Sequence, residues 1–200
     1  YSVAASVLKA GLQVIICDVD PSSLAFDRTQ LESIDFDEVL AIVSANLYGI
    51  PNDLIWLESV ARRYNTYLID DAAQCLGGTL SNRPVGTFGK AGIFSFDKGK
   101  VITSINGGVV VTNDDSLAAS ITRLMPDIPE QPMTRRAGEY IKAIVYASFL
   151  HPRAYWIPHS IPLLKLGETR YDDTFPIEKY SPRMAPIAHR QLTRLDSLNR

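Results

Sequence analysis

The chain has 200 residues, of which 46% are hydrophobic and 21% are charged, and its net charge is −2. This composition is that of a globular protein with a sizeable core; it excludes a disordered chain and gives no support to nucleic-acid binding. No stretch reaches the roughly 18 apolar residues that a membrane span needs. The two cysteines and three histidines lack metal-ligand spacing, so we predict no metal site and buried, reduced thiols in a cytoplasmic protein.

The first two-thirds of the sequence predicts alternating helices and strands. A short helix precedes Leu12–Val19, where a β-branched run too short for a helix predicts a buried strand. Further strands are predicted over 41–47, 66–70, 91–96 and 108–112, with a helical turn over 37–40 and helices over 53–64 and from Asp114 or Asp115 to about 124. Near-continuous apolar strands between helices indicate an α/β fold, with a mainly parallel sheet covered on both faces.

The pattern changes after Met125, where prolines interrupt it. A helix is predicted from about Arg136 to Leu150, and a last one from about Met184, with an apolar stripe at Ile187, Ala188, Leu192, Leu195 and Leu198. We therefore predict a large domain over 1–125, a connector and helical region over 126–183, and the start of a small domain over 184–200. Because the sequence begins without Met in a helical pattern and ends inside a helix, we expect a piece of a longer chain.

Several chemically active side chains follow predicted strands. Asp70 and Asp71 end one strand, at the edge where open α/β sheets bind ligands, and one of them could pair with a cationic ring nitrogen. By spacing alone, a cap by Asp71 on a short helix over 72–75 is favoured. Ser95 alternates with two phenylalanines, so its hydroxyl should point away from both rings. Lys98 and Lys100 follow, and a partly desolvated lysine there would be a Schiff-base nucleophile; otherwise both are solvated loop residues.

The order of these motifs resembles that of the DegT/DnrJ-type sugar aminotransferases, which are pyridoxal phosphate (PLP) enzymes of fold type I. The resemblance rests on Asp71-Ala72-Ala73-Gln74, Gly77-Gly78, Val85-Gly86-x-Phe88-Gly89, Phe94-Ser95-Phe96, Lys100 and Gly107-Gly108, with Asp18-Val19-Asp20-Pro21, Asn46-Leu47-Tyr48-Gly49 and Tyr180-Ser181-Pro182-Arg183-Met184 as further matches. It implies a three-layer α/β/α large domain followed by a smaller α/β domain. The sequence departs from the family pattern at Asn46, where the family has His, at Ile105-Asn106, where it has Gly-Glu, and at Ser181, where it has Asn.

The resemblance also implies roles for single residues. Lys100 would hold PLP as a Schiff base and act as the general acid and base, and the family spacing selects it over Lys98. Asp71 would pair with the pyridinium nitrogen, and Gln74 would lie near the ring's phenolic oxygen. Ser95 would bind the phosphate, and Ser181 would occupy the position that reaches the partner subunit's phosphate. Gly107 and Gly108 would permit a close backbone approach.

The function implied by the resemblance is transfer of an amino group, from glutamate, to a keto group of a nucleotide-linked sugar, by a homodimer in polysaccharide or amino-sugar biosynthesis. One alternative is a PLP-dependent nucleotide-sugar dehydratase, against which Lys100 speaks because histidine typically replaces the lysine in that branch. A non-catalytic, truncated relative that acts as a binding module is the other. Aromatic residues between 139 and 174 could line an acceptor pocket, although packing is favoured: Tyr140, Tyr146, Phe149, Tyr155 and Trp156.

Overall fold

A computed structural model describes residues 2–149 and 175–199. The described residues belong to two compact units, one drawn from 1–14 and 128–181 and the other from 15–127 and 182–200. The assignment of functional domains to 1–125, 126–183 and 184–200 stays a prediction. No helix among the described residues has the length and apolarity needed to cross a membrane.

Helices and strands alternate along the chain, as the apolar pattern predicts. The helices are α1 (Ser2–Lys9), α2 (Arg28–Glu32), α3 (Leu54–Arg63), α4 (Asp115–Leu124), α5 (Met133–Phe149), α6 (Ala185–Leu192) and α7 (Leu195–Leu198). The strands are β1 (Ala41–Ala45), β2 (Tyr67–Asp71), β3 (Thr79–Leu80), β4 (Arg83–Pro84), β5 (Ala91–Ser95) and β6 (Gly108–Val111). The strands predicted over 41–47, 66–70, 91–96 and 108–112 and the helices predicted over 53–64 and to about 124 agree with these bounds to within two residues.

The main sheet of the second unit has the strand order β1-β2-β5-β6. Strands β1, β2 and β5 are parallel, and β6 runs antiparallel to β5. The sheet is therefore mixed but mainly parallel, which confirms the predicted α/β fold. Because parallel strands end on the same side, the carboxyl ends of β1, β2 and β5 meet at one edge of the sheet.

One face of this sheet packs against α3. The helix begins after Asp53, whose side chain accepts a hydrogen bond from the Trp56 backbone N–H at 3.2 Å and so caps the first turn. Its buried stripe, Leu54, Leu57, Val60 and Ala61, joins Ile42, Leu68, Phe88 and their neighbours in the core. Strand residues on the opposite face are only half buried. That face is the one left open to carry polar chemistry.

The predicted strand over Leu12–Val19 is wrong. This segment is irregular, and Ile15 and Ile16 are 62% and 80% exposed. The β-branched side chains favour an extended backbone, but a strand also needs a hydrogen-bonded neighbour. Within Leu12–Val19, the one residue with a strand contact is Val19, which forms a single antiparallel bridge to Phe26.

Two helical expectations also need correction. Residues 72–75 form a turn closed by a 2.9 Å hydrogen bond from Cys75 N–H to the Ala72 carbonyl, so there is no helix for Asp71 to cap. The predicted last helix is broken at Thr193 and Arg194 into α6 and α7. The apolar stripe predicts one continuous helix. A turn interrupts this helix, and apolar periodicity does not predict the turn.

Candidate active site

Two adjacent carboxylates end β2 and point to opposite faces of the sheet. Asp70 is fully buried on the α3 face. Its carboxylate accepts hydrogen bonds from the backbone N–H groups of Gly86 and Phe88 and from Asn46 Nδ2 at 2.7 Å. Burial raises the pKa of Asp70, and these hydrogen bonds offset part of that rise. Asp70 therefore anchors the following loop rather than facing a ligand.

Asp71 lies on the half-buried face, in register with Ala45 of β1 and Ile93 of β5. Its Oδ1 accepts a hydrogen bond from the Ala73 backbone N–H at 3.0 Å. Within the described residues, no hydrogen bond reaches its Oδ2. Asp71 is thus the carboxylate of the pair that is available to a cationic group above the sheet edge.

Ser95 ends β5 on the same face as Asp71, two residues beyond the partner of Asp71. Its Oγ accepts a 3.3 Å hydrogen bond from the Asp97 backbone N–H. The ring of Phe94 points to the other face, where it packs against Gly86, in agreement with the predicted alternation. Ser95 pairs with Gly108, and a Cβ on Gly108 would lie 2.6 Å from the Phe94 carbonyl oxygen. The predicted close backbone approach at Gly108 is therefore an approach to this chain's own strand β5.

Lys100 lies in the loop after β5, in the wall of a cavity of about 360 Å³. The cavity is lined by Tyr48, Gln74, Lys98, Gly99, Lys100 and Val101. Lys100 is half buried, whereas Lys98 is exposed. In the same wall, Gln74 Oε1 accepts a 3.3 Å hydrogen bond from the Tyr48 backbone N–H. The structure thus brings Lys100 and Gln74 to one cavity. Asp71 and Ser95 lie on the sheet and are not among the residues that line the cavity.

Ser181 ends the other compact unit and is described within that unit only. It is buried, and its Oγ has no hydrogen-bond partner within the described residues. Its assignment to a partner's phosphate stays a prediction. Of the aromatic residues considered for an acceptor pocket, Tyr155 and Trp156 lie outside the described residues, and the role of the others also stays a prediction.

Sequence reasoning did not select Tyr48 as a site residue. Tyr48 is 78% exposed in the cavity wall, and its backbone is left-handed, with φ 56° and ψ 25°. Neither property can be predicted from the local sequence, because a Tyr-Gly pair predicts a turn without fixing which residue takes the positive φ. The Asn46-Leu47-Tyr48-Gly49 motif was the one available signal.

A lysine amine, an amide and a carboxylate at neighbouring strand ends suit a carbonyl cofactor. The amine can bond the carbonyl carbon, the carboxylate can pair with a ring nitrogen, and the amide can hydrogen-bond a ring oxygen. Fold and site together are those of an α/β protein that can bind such a cofactor. The chain belongs to the DegT/DnrJ/EryC1/StrS aminotransferase family, whose sequence model matches residues 1–143.

Similar proteins carry sugar-related names. The chain is 37% identical over 121 residues to the GDP-perosamine synthase of Caulobacter vibrioides, a match that covers 60% of this chain and 33% of the relative. It is 34% identical to DesI, solved in the presence of its TDP-sugar product, with a TM-score of 0.58 over 62% of this chain and 32% of that one. At 24% identity, an E. coli GDP-4-keto-6-deoxy-D-mannose-3-dehydratase with bound hydrated PLP shares the fold, with a TM-score of 0.61 over 95% of this chain and 44% of that one. The chain spans about a third of the length of the curated relatives that it matches.

The cofactor of this family is pyridoxal 5′-phosphate, and the residues of the site fit it. The cavity wall contains a half-buried lysine and an amide, and the sheet edge supplies a carboxylate with an open oxygen and a hydroxyl. Within the described residues, neither Lys98 nor Lys100 forms an ion pair, so both amines are available to an anionic or carbonyl group.

Proposed function

We propose that the full-length protein is a PLP-dependent aminotransferase that moves an amino group from glutamate to a keto group of a nucleotide-linked sugar. Family membership supports the reaction class, and two similar proteins, a GDP-perosamine synthase and DesI with its TDP-sugar product, support a sugar carried on a nucleoside diphosphate. The product would serve amino-sugar or cell-surface polysaccharide biosynthesis.

Each polar residue of the site has a definite task in this proposal. PLP, when bound, supplies an electron sink for the charge that develops on the substrate carbon. Lys100 Nζ would hold the cofactor and would move a proton at the substrate carbon. Asp71 would pair with the ring nitrogen, Gln74 would hydrogen-bond the phenolic oxygen, and the Ser95 hydroxyl would donate to the phosphate.

The observation that carries the proposal is the difference between two lysines only two residues apart. Lys100 is half buried in the cavity wall that Gln74 also lines, whereas Lys98 is exposed. The half-buried amine is held in the cavity wall, where a bound carbonyl group can reach it, whereas the exposed lysine is surrounded by solvent. Lys100 is therefore the lysine that we assign to the cofactor.

Borohydride reduction in the presence of PLP, followed by peptide mapping, tests this assignment on the full-length protein. We expect a stable pyridoxyl label on Lys100 and none on Lys98. The matched pair Lys100→Ala and Lys98→Ala provides the control: the first should abolish labelling and the second should leave it unchanged. Label on Lys98, or no label with PLP present, would overturn the assignment, and the second result would favour a non-catalytic binding module.

A dehydratase is the second candidate, because a dehydratase shares the fold along 95% of this chain. The lysine at position 100 favours transamination, since a lysine that holds the cofactor can take it back once the second half-reaction has passed the amino group to the acceptor. Incubation with glutamate and a keto sugar distinguishes the two reactions by the sugar product. An aminotransferase yields 2-oxoglutarate and an amino sugar; a sugar that has lost a hydroxyl and gained no amino group would favour the dehydratase.

The proposal includes a cytoplasmic homodimer with its sites between the subunits. Support for the dimer comes from Ser181, which matches a family position that reaches the partner's phosphate. Support for a reducing compartment comes from Cys17 and Cys75, which are both free thiols. Analytical ultracentrifugation of the full-length protein measures the assembly directly, and a monomer that retains full activity would contradict the shared site.

A further inference from the structure

Asn46 is a buried hydrogen-bond centre directly after β1. It is 1% exposed, and its side-chain Nδ2 donates to Asp70 Oδ1 at 2.7 Å and to the Asp71 carbonyl at 2.9 Å. Its Oδ1 accepts from the Asn52 backbone N–H at 2.9 Å, and its own backbone N–H donates to the Asp71 carbonyl at 3.0 Å. Since acceptors face Nδ2 and a donor faces Oδ1, the amide has one orientation that satisfies all of its partners.

These bonds close the loop that carries Tyr48. One end of the loop is fixed to the end of β2 through Asp71, and the other is fixed through Asn52, six residues along the chain. Between them, Ile50 N–H donates to the Leu47 carbonyl at 2.9 Å, which completes the turn. The Asn46 side chain is therefore the tie that holds both ends of this loop against the sheet.

Tyr48 occupies a backbone conformation that costs energy. A tyrosine with φ 56° is strained, and such residues persist only where their surroundings hold them. Its ring is 78% exposed in the cavity wall and, among the described residues, has no aromatic or cationic partner. An exposed ring, held in a strained turn beside Lys100 and Gln74, is placed for contact with a bound ligand rather than for packing in the core.

We infer that Asn46 is a positioning residue: by tying the Leu47–Gly49 turn to the end of β2, it holds the Tyr48 ring against the cofactor on Lys100. The inference rests on the proposed function, because it takes PLP as the ligand of the cavity. It assigns to Tyr48 direct contact with that ligand and to Asn46 an effect that passes through Tyr48. If Asn46 had a structural role alone, it would instead contribute to the stability of the core and have no specific effect on Tyr48.

The test measures the dissociation constant of PLP on the full-length protein by spectroscopic titration, together with the midpoint of thermal unfolding. Asn46→Leu removes all side-chain hydrogen bonds at similar volume, and Asn46→Asp keeps the acceptor while placing a second carboxylate against Asp70. Both should raise the dissociation constant at least tenfold. Tyr48→Gly removes the ring but suits the left-handed turn, and it should raise the dissociation constant by a similar factor without lowering the unfolding midpoint.

The double variant Asn46→Leu/Tyr48→Gly decides between the two roles. If Asn46 acts through Tyr48, the double variant binds PLP no more weakly than Asn46→Leu alone, because the second change removes a ring that is already misplaced. If the two effects multiply, the inference is wrong.

Two controls separate positioning from stability. Ser44→Ala alters a buried neighbour whose Oγ has no described hydrogen-bond partner, and it should leave PLP affinity unchanged. Leu57→Ala, which lowers the unfolding midpoint through the α3 core, should leave the affinity of the folded protein unchanged; an equal loss of affinity there would assign the Asn46 effect to general destabilisation. Absence of a borohydride label on Lys100 in the wild-type protein would defeat the proposed function itself, whereas a labelled Lys100 with unaffected Asn46 variants would defeat only this inference.

Discussion

Asp70 and Asp71 show how adjacent residues of one type acquire different tasks. Strand alternation sends Asp70 into the α3 core, where two backbone N–H groups and an amide hold it, and sends Asp71 to the open face. The sequence places both at a strand end and leaves open which of them faces a ligand. Only the sheet, by covering one face and leaving the other half exposed, makes Asp71 the available carboxylate.

Asp70 should leave a signature in the pH dependence of stability. Its pKa is raised by burial, so between about 4, the ordinary value for an unfolded chain, and the raised value, the native state binds more protons than the unfolded state. The free energy of unfolding therefore decreases as the pH rises through this window. Asp70→Asn removes the titration and should flatten that decrease.

Chemical denaturation at a series of pH values measures this effect. The variant also turns one hydrogen-bond acceptor into a donor, which leaves at least one buried donor unpaired and costs about 1–3 kcal/mol. A lower overall stability with a flatter pH dependence is thus the expected result. An unchanged slope in the variant would assign the pH dependence to other groups.

At the level of secondary-structure elements, the loop between β4 and β5 is bonded to the end of β2 and to α3. Asp70 binds the N–H groups of Gly86 and Phe88, and Glu58 of α3 accepts a 2.8 Å hydrogen bond from the Gly89 N–H. The loop passes so close to β5 that a Cβ built on Gly92 would lie 1.7 Å from the Gly86 carbonyl oxygen. The Val85-Gly86-x-Phe88-Gly89 motif is therefore a packing device that brings β5, and with it Ser95, to its place beside β2.

Gly92→Ala tests this packing. The added methyl group meets backbone that cannot rotate away, so we expect a loss of about 1–3 kcal/mol or more in the free energy of unfolding. Gly138→Ala is the matched control, because a Cβ at Gly138 in α5 meets nothing within 4 Å. The control should gain up to about 1 kcal/mol from its better helix propensity. Equal effects of the two substitutions in denaturant titrations would contradict the close approach at Gly92.

At the scale of the whole molecule, the chain contributes Lys100 from one compact unit and Ser181 from the other. If Ser181 serves the site of a second subunit, two inactive variants can complement each other. We expect full-length Lys100→Ala and Ser181→Asp to be inactive separately, the first for lack of the amine and the second because its carboxylate repels the cofactor phosphate.

Mixing the two variants, after dissociation and reassociation, measures this sharing. Half of the dimers are then hybrids, and each hybrid has one site with both native residues, so activity should return to about a quarter of the wild-type value for a symmetric dimer. Mixing either variant with itself is the control and should restore nothing. No recovery in hybrids that are shown to form would exclude the shared site.

Sequence alone determined the alternation of elements between residues 41 and 124, because apolar periodicity and helix caps such as Asp53 and Asp114 are local properties. It also determined the family, because the order of the motifs can be read from the sequence without knowledge of the fold. The Leu12–Val19 segment shows the limit: β-branched composition indicates an extended backbone, but pairing depends on which strands lie alongside it.

The tertiary structure alone decided which polar residues meet. Lys100 and Gln74 are 26 positions apart, and the parallel pairing of β2 with β5 brings the loops after both strands to one edge of the sheet, around a cavity that Tyr48 also lines. The left-handed backbone of Tyr48 and the three-way bonding of Asn46 are likewise consequences of contacts distant in sequence. Periodicity and spacing are local, whereas the side chains that surround a ligand are selected by the packing of strands and loops distant in the chain.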